Sequence, residues 1–152
     1  MSKFYITTSI AYVNGAPHVG HALEFVQADT IARYRRQAGD DVFLLSGTDE
    51  HGAKIARAAE AAGMTPRELV DINAEKFRAL KDALNLSWDD FIRTSDEARH
   101  WPNVRALWNK LVASGDIYKK TYQGLYCVGH EAFITEKDLE NGTCRDHDAA
   151  PE

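Results

Sequence analysis

The chain has 152 residues, 44% of them hydrophobic and 27% charged, with a formal net charge of −5. That is enough chain for one globular domain with a sizeable core, and the acidic balance argues against broad, non-specific nucleic-acid binding by the chain as a whole. No apolar run is long enough to span a membrane, two cysteines are too few for a disulfide scaffold, and no secretory or transit pattern opens the chain, so a cytoplasmic protein is expected.

The first element is KFYITTSI, residues 3–10, β-branched and aromatic as a strand is. Gly15 and Pro17 mark a turn after it. A helix is predicted from about residue 20 to 37, with Leu23, Val26, Thr30 and Tyr34 near one face and Gly39 as its stop. DVFLLSG, residues 41–47, reads as a buried parallel strand. An alanine-rich helix follows, ending at Gly63. Thr65-Pro66-Arg67-Glu68 is a capping box with proline at the first helical position. The helix it opens carries Leu69, Ile72, Phe77, Leu80 and Leu84 on one stripe. DFIRTS, residues 90–95, reads as a third strand. Val104, Leu107, Trp108, Leu111 and Val112 mark a further amphipathic helix closed by Gly115. IYKKTYQGLYCV, residues 117–128, is aromatic and β-rich, with a hairpin expected around Gly124. Strand and helix thus alternate over residues 1–115, which implies a parallel α/β sheet, and residues 116–152 begin something else.

Three motifs carry chemistry. Pro17-His18-Val19-Gly20-His21 follows the first strand and opens a helix. Ligands of open α/β sheets bind at the C-terminal ends of strands, and a helix N-terminus there favours an anion. Gly20 lets a base or phosphate approach the backbone, and His18 and His21 can each donate to phosphate oxygens. The competing reading is a capped turn with exposed histidines, and the residues alone leave the two about even. The second motif, Gly47-Thr48-Asp49-Glu50-His51-Gly52, follows the second strand and should border the same crevice. Asp49 can hold a substrate ammonium group; Thr48 or Asp49 can equally be a helix cap. The third is Cys127-x2-His130 and Cys144-x2-His147, thirteen residues apart. Two such pairs suit a tetrahedral zinc knuckle, against a metal-free hairpin with free thiols. A structural zinc contributes roughly 10–16 kcal/mol in a small module, which could replace the core this polar tail lacks.

The stretches FYITTSIAYVNGAPHVGHALEFVQADTIARY, FLLSGTDEHGAKI, DDFIRTSD and GLYCVGHEAF together closely resemble the N-terminal part of methionyl-tRNA synthetases, a branch of the class I aminoacyl-tRNA synthetases. The histidine box is shared by class I synthetases and related nucleotidyltransferases; the Gly-Thr-Asp-Glu-His-Gly loop points to the methionyl branch. The resemblance implies the first half of a Rossmann-like parallel sheet over residues 1–115, then the start of an inserted connective segment with a zinc-knuckle-like hairpin. It implies that His18 and His21 contact the phosphates of ATP, accompanied by Mg2+, with Gly20 near the adenine. It places Asp49 on the α-amino group of methionine and Ile10 and Tyr12 along the amino-acid pocket, although Ile10 is expected to serve mainly as core. The implied reaction joins methionine to ATP as an adenylate and passes the methionyl group to tRNA(Met).

By the same resemblance Cys127, His130, Cys144 and His147 are the ligands of Zn2+. The family's usual second ligand is cysteine where this chain has His130, and some members have lost the metal. The family's lysine-rich loop, of the type Lys-Met-Ser-Lys-Ser, has no counterpart here. An incomplete chain is therefore expected: half a doubly wound sheet with an uncovered edge strand, unstable, self-associating or weakly active alone. Two rival readings are a small nucleotidyltransferase with another acceptor and a non-catalytic zinc- or tRNA-associated module. Arg33, Arg35 and Arg36 are expected on a solvated helix face, a tRNA backbone contact being unsupported, and His100 is expected at the surface. The oligomeric state is not legible from the sequence.

Overall fold

The computed structural model describes residues 1–147 and 149–152. They fall into two compact units, Met1–Leu107 and Trp108–Glu152. No helix among them is long and apolar enough to cross a membrane.

The first unit is built on a parallel sheet. β1 (Lys3–Thr7) and β2 (Ala11–Tyr12) both pair with β3 (Asp41–Asp49), as two pieces of one broken strand. β4 (Asp90–Arg93) pairs with β3 on the other side. The run predicted as a single strand over residues 3–10 is therefore interrupted: Thr8–Ile10 leave the ladder and Ala11–Tyr12 rejoin it. α1 (Val19–Gln37) connects β2 to β3, while α2 (Ala53–Ala61) and α3 (Pro66–Ala83) connect β3 to β4.

Alternation along β3 sends Leu44, Ser46 and Thr48 to one face, where they are buried. Phe25, Ala28 and Ala32 of α1, Ile55 of α2 and Val70 and Phe77 of α3 join Leu44, Trp88 and Phe91 in one core. The opposite face is open: Tyr5 is 62% and Phe43 44% exposed, stacked on one another at 6.0 Å. Parallel sheets normally bury both faces, so this sheet has one helical layer where two are usual.

The apolar stripes read from sequence differ from the buried ones. On α1 the core face is Phe25, Ala28, Asp29 and Ala32, whereas Leu23, Val26, Thr30 and Tyr34 are exposed. On α3 it is Val70, Asn73, Ala74 and Phe77; of the predicted stripe Phe77 is core, Leu69 and Leu80 pack against it, and Ile72 and Leu84 are exposed. Small and polar residues sit inside because the helix lies close against the sheet and each polar one has a partner. Asp29 accepts from the Ser87 N–H at 2.6 Å and from the Ser87 hydroxyl. Asn73 donates to the Val13 carbonyl at 2.9 Å. The arginine run is not a free solvated face either. Arg33 pairs with Asp29, Arg35 with Asp40 at 3.0 Å, and Arg36 with Asp89 at 2.7 Å. α4 (Trp101–Ala113) buries no residue, so its predicted stripe faces solvent.

The second unit takes in the end of α4 and two small antiparallel hairpins. β5 (Leu125–Cys127) pairs with β6 (Ala132–Ile134), and β7 (Leu139–Glu140) with β8 (Thr143–Cys144). The expected turn around Gly124 is displaced to residues 128–131, because Gly124 precedes β5 rather than joining two strands.

Candidate functional site

The first two motifs lie in the first unit and the third in the second. In the first unit, the ladder ends with Tyr12 opposite Asp49. This is the C-terminal end of the parallel strands, and α1 begins seven residues after Tyr12, at Val19.

The histidine box is a capped turn. His18 is the N-cap of α1: its Nδ1 accepts the Gly20 N–H at 3.1 Å. His21 reaches back, and its Nδ1 accepts the His18 N–H at 3.2 Å. This is a capping box in which both side chains are imidazoles. An Nδ1 that accepts carries no proton, so each neutral ring bears its proton on Nε2. Both rings therefore offer an N–H donor away from the backbone, beside a helix N-terminus. The rings lie 3.8 Å apart, and His21 meets the edge of Phe77 at 4.9 Å. Burial, then the neighbouring His18 charge, lower the pKa of His21, with Glu24 opposing. The ring is thus neutral at pH 7 and able to keep this cap. Gly20 also has a local role: a Cβ there would lie 2.9 Å from the His18 ring, so the glycine makes room for the cap.

Asp49 is held from behind. The Thr94 hydroxyl, which accepts the Glu50 N–H at 2.8 Å, lies 3.4 Å from the Asp49 carboxylate as a donor. Glu50 is buried beneath. Its Oε1 accepts from the Thr48 hydroxyl at 2.6 Å and from Arg93 Nε at 2.7 Å. Its Oε2 accepts from Arg93 Nη2 at 2.9 Å and from the Ser95 hydroxyl. Arg93 also binds Asp71 at 2.6 Å, and the Glu50 bond is the main reason its pKa is raised further. Desolvating two charges is expensive, but the bidentate geometry and two hydroxyls satisfy the carboxylate. The loop bearing Asp49 is thus pinned to β4. Sequence reasoning missed this network, because Glu50 and Arg93 are 43 residues apart and meet only through the pairing of β3 with β4.

Ile10 is a correction. It lies outside the ladder and is 40% exposed, so it is not core. The strand break at Thr8–Ile10 turns its side chain out of the buried layer. Tyr12 is half-buried at the end of β2.

In the second unit Cys127 and His130 come from the β5–β6 hairpin, and Cys144 and His147 from the end of β8 and its following turn. Their four ligand atoms all lie within 4.8 Å of one another. Cys127 Sγ is 3.6 Å from His147 Nδ1; Cys144 Sγ is 3.5 Å from both His130 Nδ1 and His147 Nδ1. With zinc–sulfur and zinc–nitrogen bonds of ordinary length at the tetrahedral angle, a sulfur–nitrogen edge measures about 3.5–3.6 Å. Three of the six donor–donor edges therefore match a tetrahedral ion, and the donor types suit zinc. The His130 backbone N–H aimed at the sulfur is the main cause that brings the Cys127 thiol down to about 6, against burial and with help from Cys144. Gly129 is required by this packing, since a Cβ would stand 2.2 Å from the His147 ring. His100, just before α4, is half-buried with Nδ1 3.2 Å from the Thr94 carbonyl, and takes no part in the cluster.

Comparison with known proteins identifies the family. The family described as tRNA synthetases class I (M) matches residues 4–151. A methionine–tRNA ligase of Brucella suis biovar 1 is 51% identical over 138 residues, covering 91% of this chain and 27% of the relative. That of Mycobacterium leprae is 48% identical over 145 residues, covering 93% and 27%. The structure of Mycobacterium tuberculosis methionyl-tRNA synthetase in complex with methionyl-adenylate superposes with a TM-score of 0.91 at 44% identity, over 100% of this chain and 30% of that one. The chain thus spans less than a third of the length of the relatives it matches. Over that span the chain shares their fold, and it belongs to the methionyl branch of the class I tRNA synthetases.

Proposed function

We propose that this chain supplies the ATP- and methionine-binding part of a cytoplasmic methionine–tRNA ligase, with ATP, methionine and tRNA(Met) as substrates. The observation that carries the reading is the reciprocal His18–His21 cap, which leaves two Nε2–H donors at the N-terminus of α1, at the strand ends where Asp49 is pinned. His18 and His21 donate to phosphate oxygens of magnesium-bound ATP, with Gly20 against the nucleotide. Asp49 binds the α-ammonium of methionine, and Ile10 and Tyr12 line the approach to its side chain. The methionine carboxylate then attacks the α-phosphate, pyrophosphate leaves, and the adenylate is the donor to tRNA. No side-chain nucleophile is needed; the residues position substrates and stabilise charge. Residues 1–115 are the nucleotide-binding half and residues 116–152 the start of a connective segment. There Cys127, His130, Cys144 and His147 hold a structural Zn2+, which would supply folding energy rather than chemistry.

Binding of a non-hydrolysable methionyl-adenylate analogue tests this. Titration calorimetry on the chain should show a preference over the leucyl analogue. Asp49→Asn should cost roughly 10- to 100-fold, as expected for a lost charge-assisted bond of about 1.5–3 kcal/mol. Equal binding of both analogues would overturn the methionine assignment.

A further inference from the structure

We propose that Asp146 is a positioning residue for the metal ligand His130, a device made necessary by the histidine at that place. The inference rests on reading the four-residue cluster as a metal site. His130 Nδ1 faces the Cys144 sulfur at 3.5 Å, on the ligand side of the ring. Its other nitrogen, Nε2, lies 3.0 Å from Asp146 Oδ2. A carboxylate can only accept, so Nε2 carries the proton and Nδ1 presents its lone pair to the metal. A ligating histidine whose far nitrogen donates to a carboxylate is fixed in tautomer and ring orientation and is made more basic.

The charge balance gives the reason. A cysteine at position 130 would ligate as a thiolate; a histidine ligates as a neutral imidazole. Two thiolates and two imidazoles just neutralise a divalent ion. Asp146 returns a negative charge to the same flank, through the ring rather than at the metal. The neighbouring acid, Asp138, is otherwise employed: its Oδ2 accepts from the Thr135 N–H at 2.8 Å and hydroxyl at 2.7 Å. The Asp146 side chain is 72% exposed, so nothing in the packing needs it there. The pair joins the two hairpins at the point where they share the ligand set.

The test is a cycle of substitutions on the whole chain, read by competition for Zn2+ with a chromophoric chelator and by the visible spectrum of bound Co2+. Asp146→Asn should weaken Zn2+ binding roughly 10- to 100-fold and alter the Co2+ bands, while Asp146→Glu recovers part of the loss. In a His130→Cys background Asp146→Asn should change affinity by less than about twofold, because the carboxylate then has no ring to hold. Unchanged affinity in Asp146→Asn, or the same loss in the His130→Cys background, overturns the proposal while the metal reading stands. If the unsubstituted chain takes up no Zn2+ or Co2+, the metal reading fails first and this proposal with it.

Discussion

In Met1–Leu107 the buried residues are those of an apolar core: Phe25, Leu44, Ile55, Val70 and Phe77 from a sheet and three helices, with a few partnered polar groups among them. In Trp108–Glu152 the buried residues, among those described, are Cys127 and Cys144. The first unit excludes water with side chains; the second has four short strands and no comparable cluster. A segment this size cannot offset its conformational entropy by burial, and small modules of this kind depend on disulfides or metals. Both cysteines are free thiols placed among two imidazoles, so ligation is the means available. The same chain thus holds one unit by burial, and the proposed metal site is what would hold the other.

Stripping metal from the proposed Zn2+ site is the most severe way to break that contrast. A strong chelator, or Cys144→Ser, should abolish amide-exchange protection in β5–β8 and leave β3 protected, since structural zinc contributes roughly 10–16 kcal/mol to such modules. Equal loss in both units would show that they do not differ in this way. Next in size is Phe77→Ala, which opens a cavity in the first unit. It should cost about 3–5 kcal/mol in urea unfolding followed by a probe in that unit, with no change in Zn2+ affinity. It also removes the edge on which His21 rests.

The smallest effect sharpens the electrostatic side. For Asp29, burial opposes the charged form, but hydrogen bonds from the Ser87 hydroxyl, Arg33 and the Ser87 N–H outweigh it, so its pKa lies below the ordinary value. A carboxyl depressed in the folded state stabilises fully above its unfolded pKa, about 3.9, and loses that stabilisation as pH falls through the folded value. Asp29→Asn should therefore cost about 1.5–3 kcal/mol at pH 7. The difference from the parent chain should vanish at the acid end; a difference constant with pH would assign the effect to packing instead.

How much was legible depended on whether a signal was local. The capping box at Thr65–Glu68 is present as read, with Pro66 in the first turn, because its bonds span three residues. The ligand pairs at Cys127 and Cys144 were legible because spacing alone reports them. The buried face of α1 was not. Its pattern shows both an inward and an outward apolar set, and the inward one is built on small residues and on Asp29, whose partner Ser87 is 58 residues away. Likewise nothing local marks the partner of Glu50; it is found only when β3 and β4 lie side by side, Thr48 opposite Arg93, and Arg93 reaches the Glu50 carboxylate.

By itself the sequence determined the alternation of strands and helices, the three motifs and their residue types, and the family. Those are properties of short windows, set by backbone propensity, capping and ligand spacing. Tertiary structure alone decided that the histidine box closes on itself through both Nδ1 atoms, that Asp49 is braced through Thr94 and Glu50, and that His130 turns one nitrogen to the sulfurs and the other to Asp146. A side chain's free nitrogen or bound proton depends on what is within hydrogen-bonding reach. Here Thr94 and Arg93 reach their partners only after a parallel crossover, and Asp146 reaches His130 only when two hairpins meet.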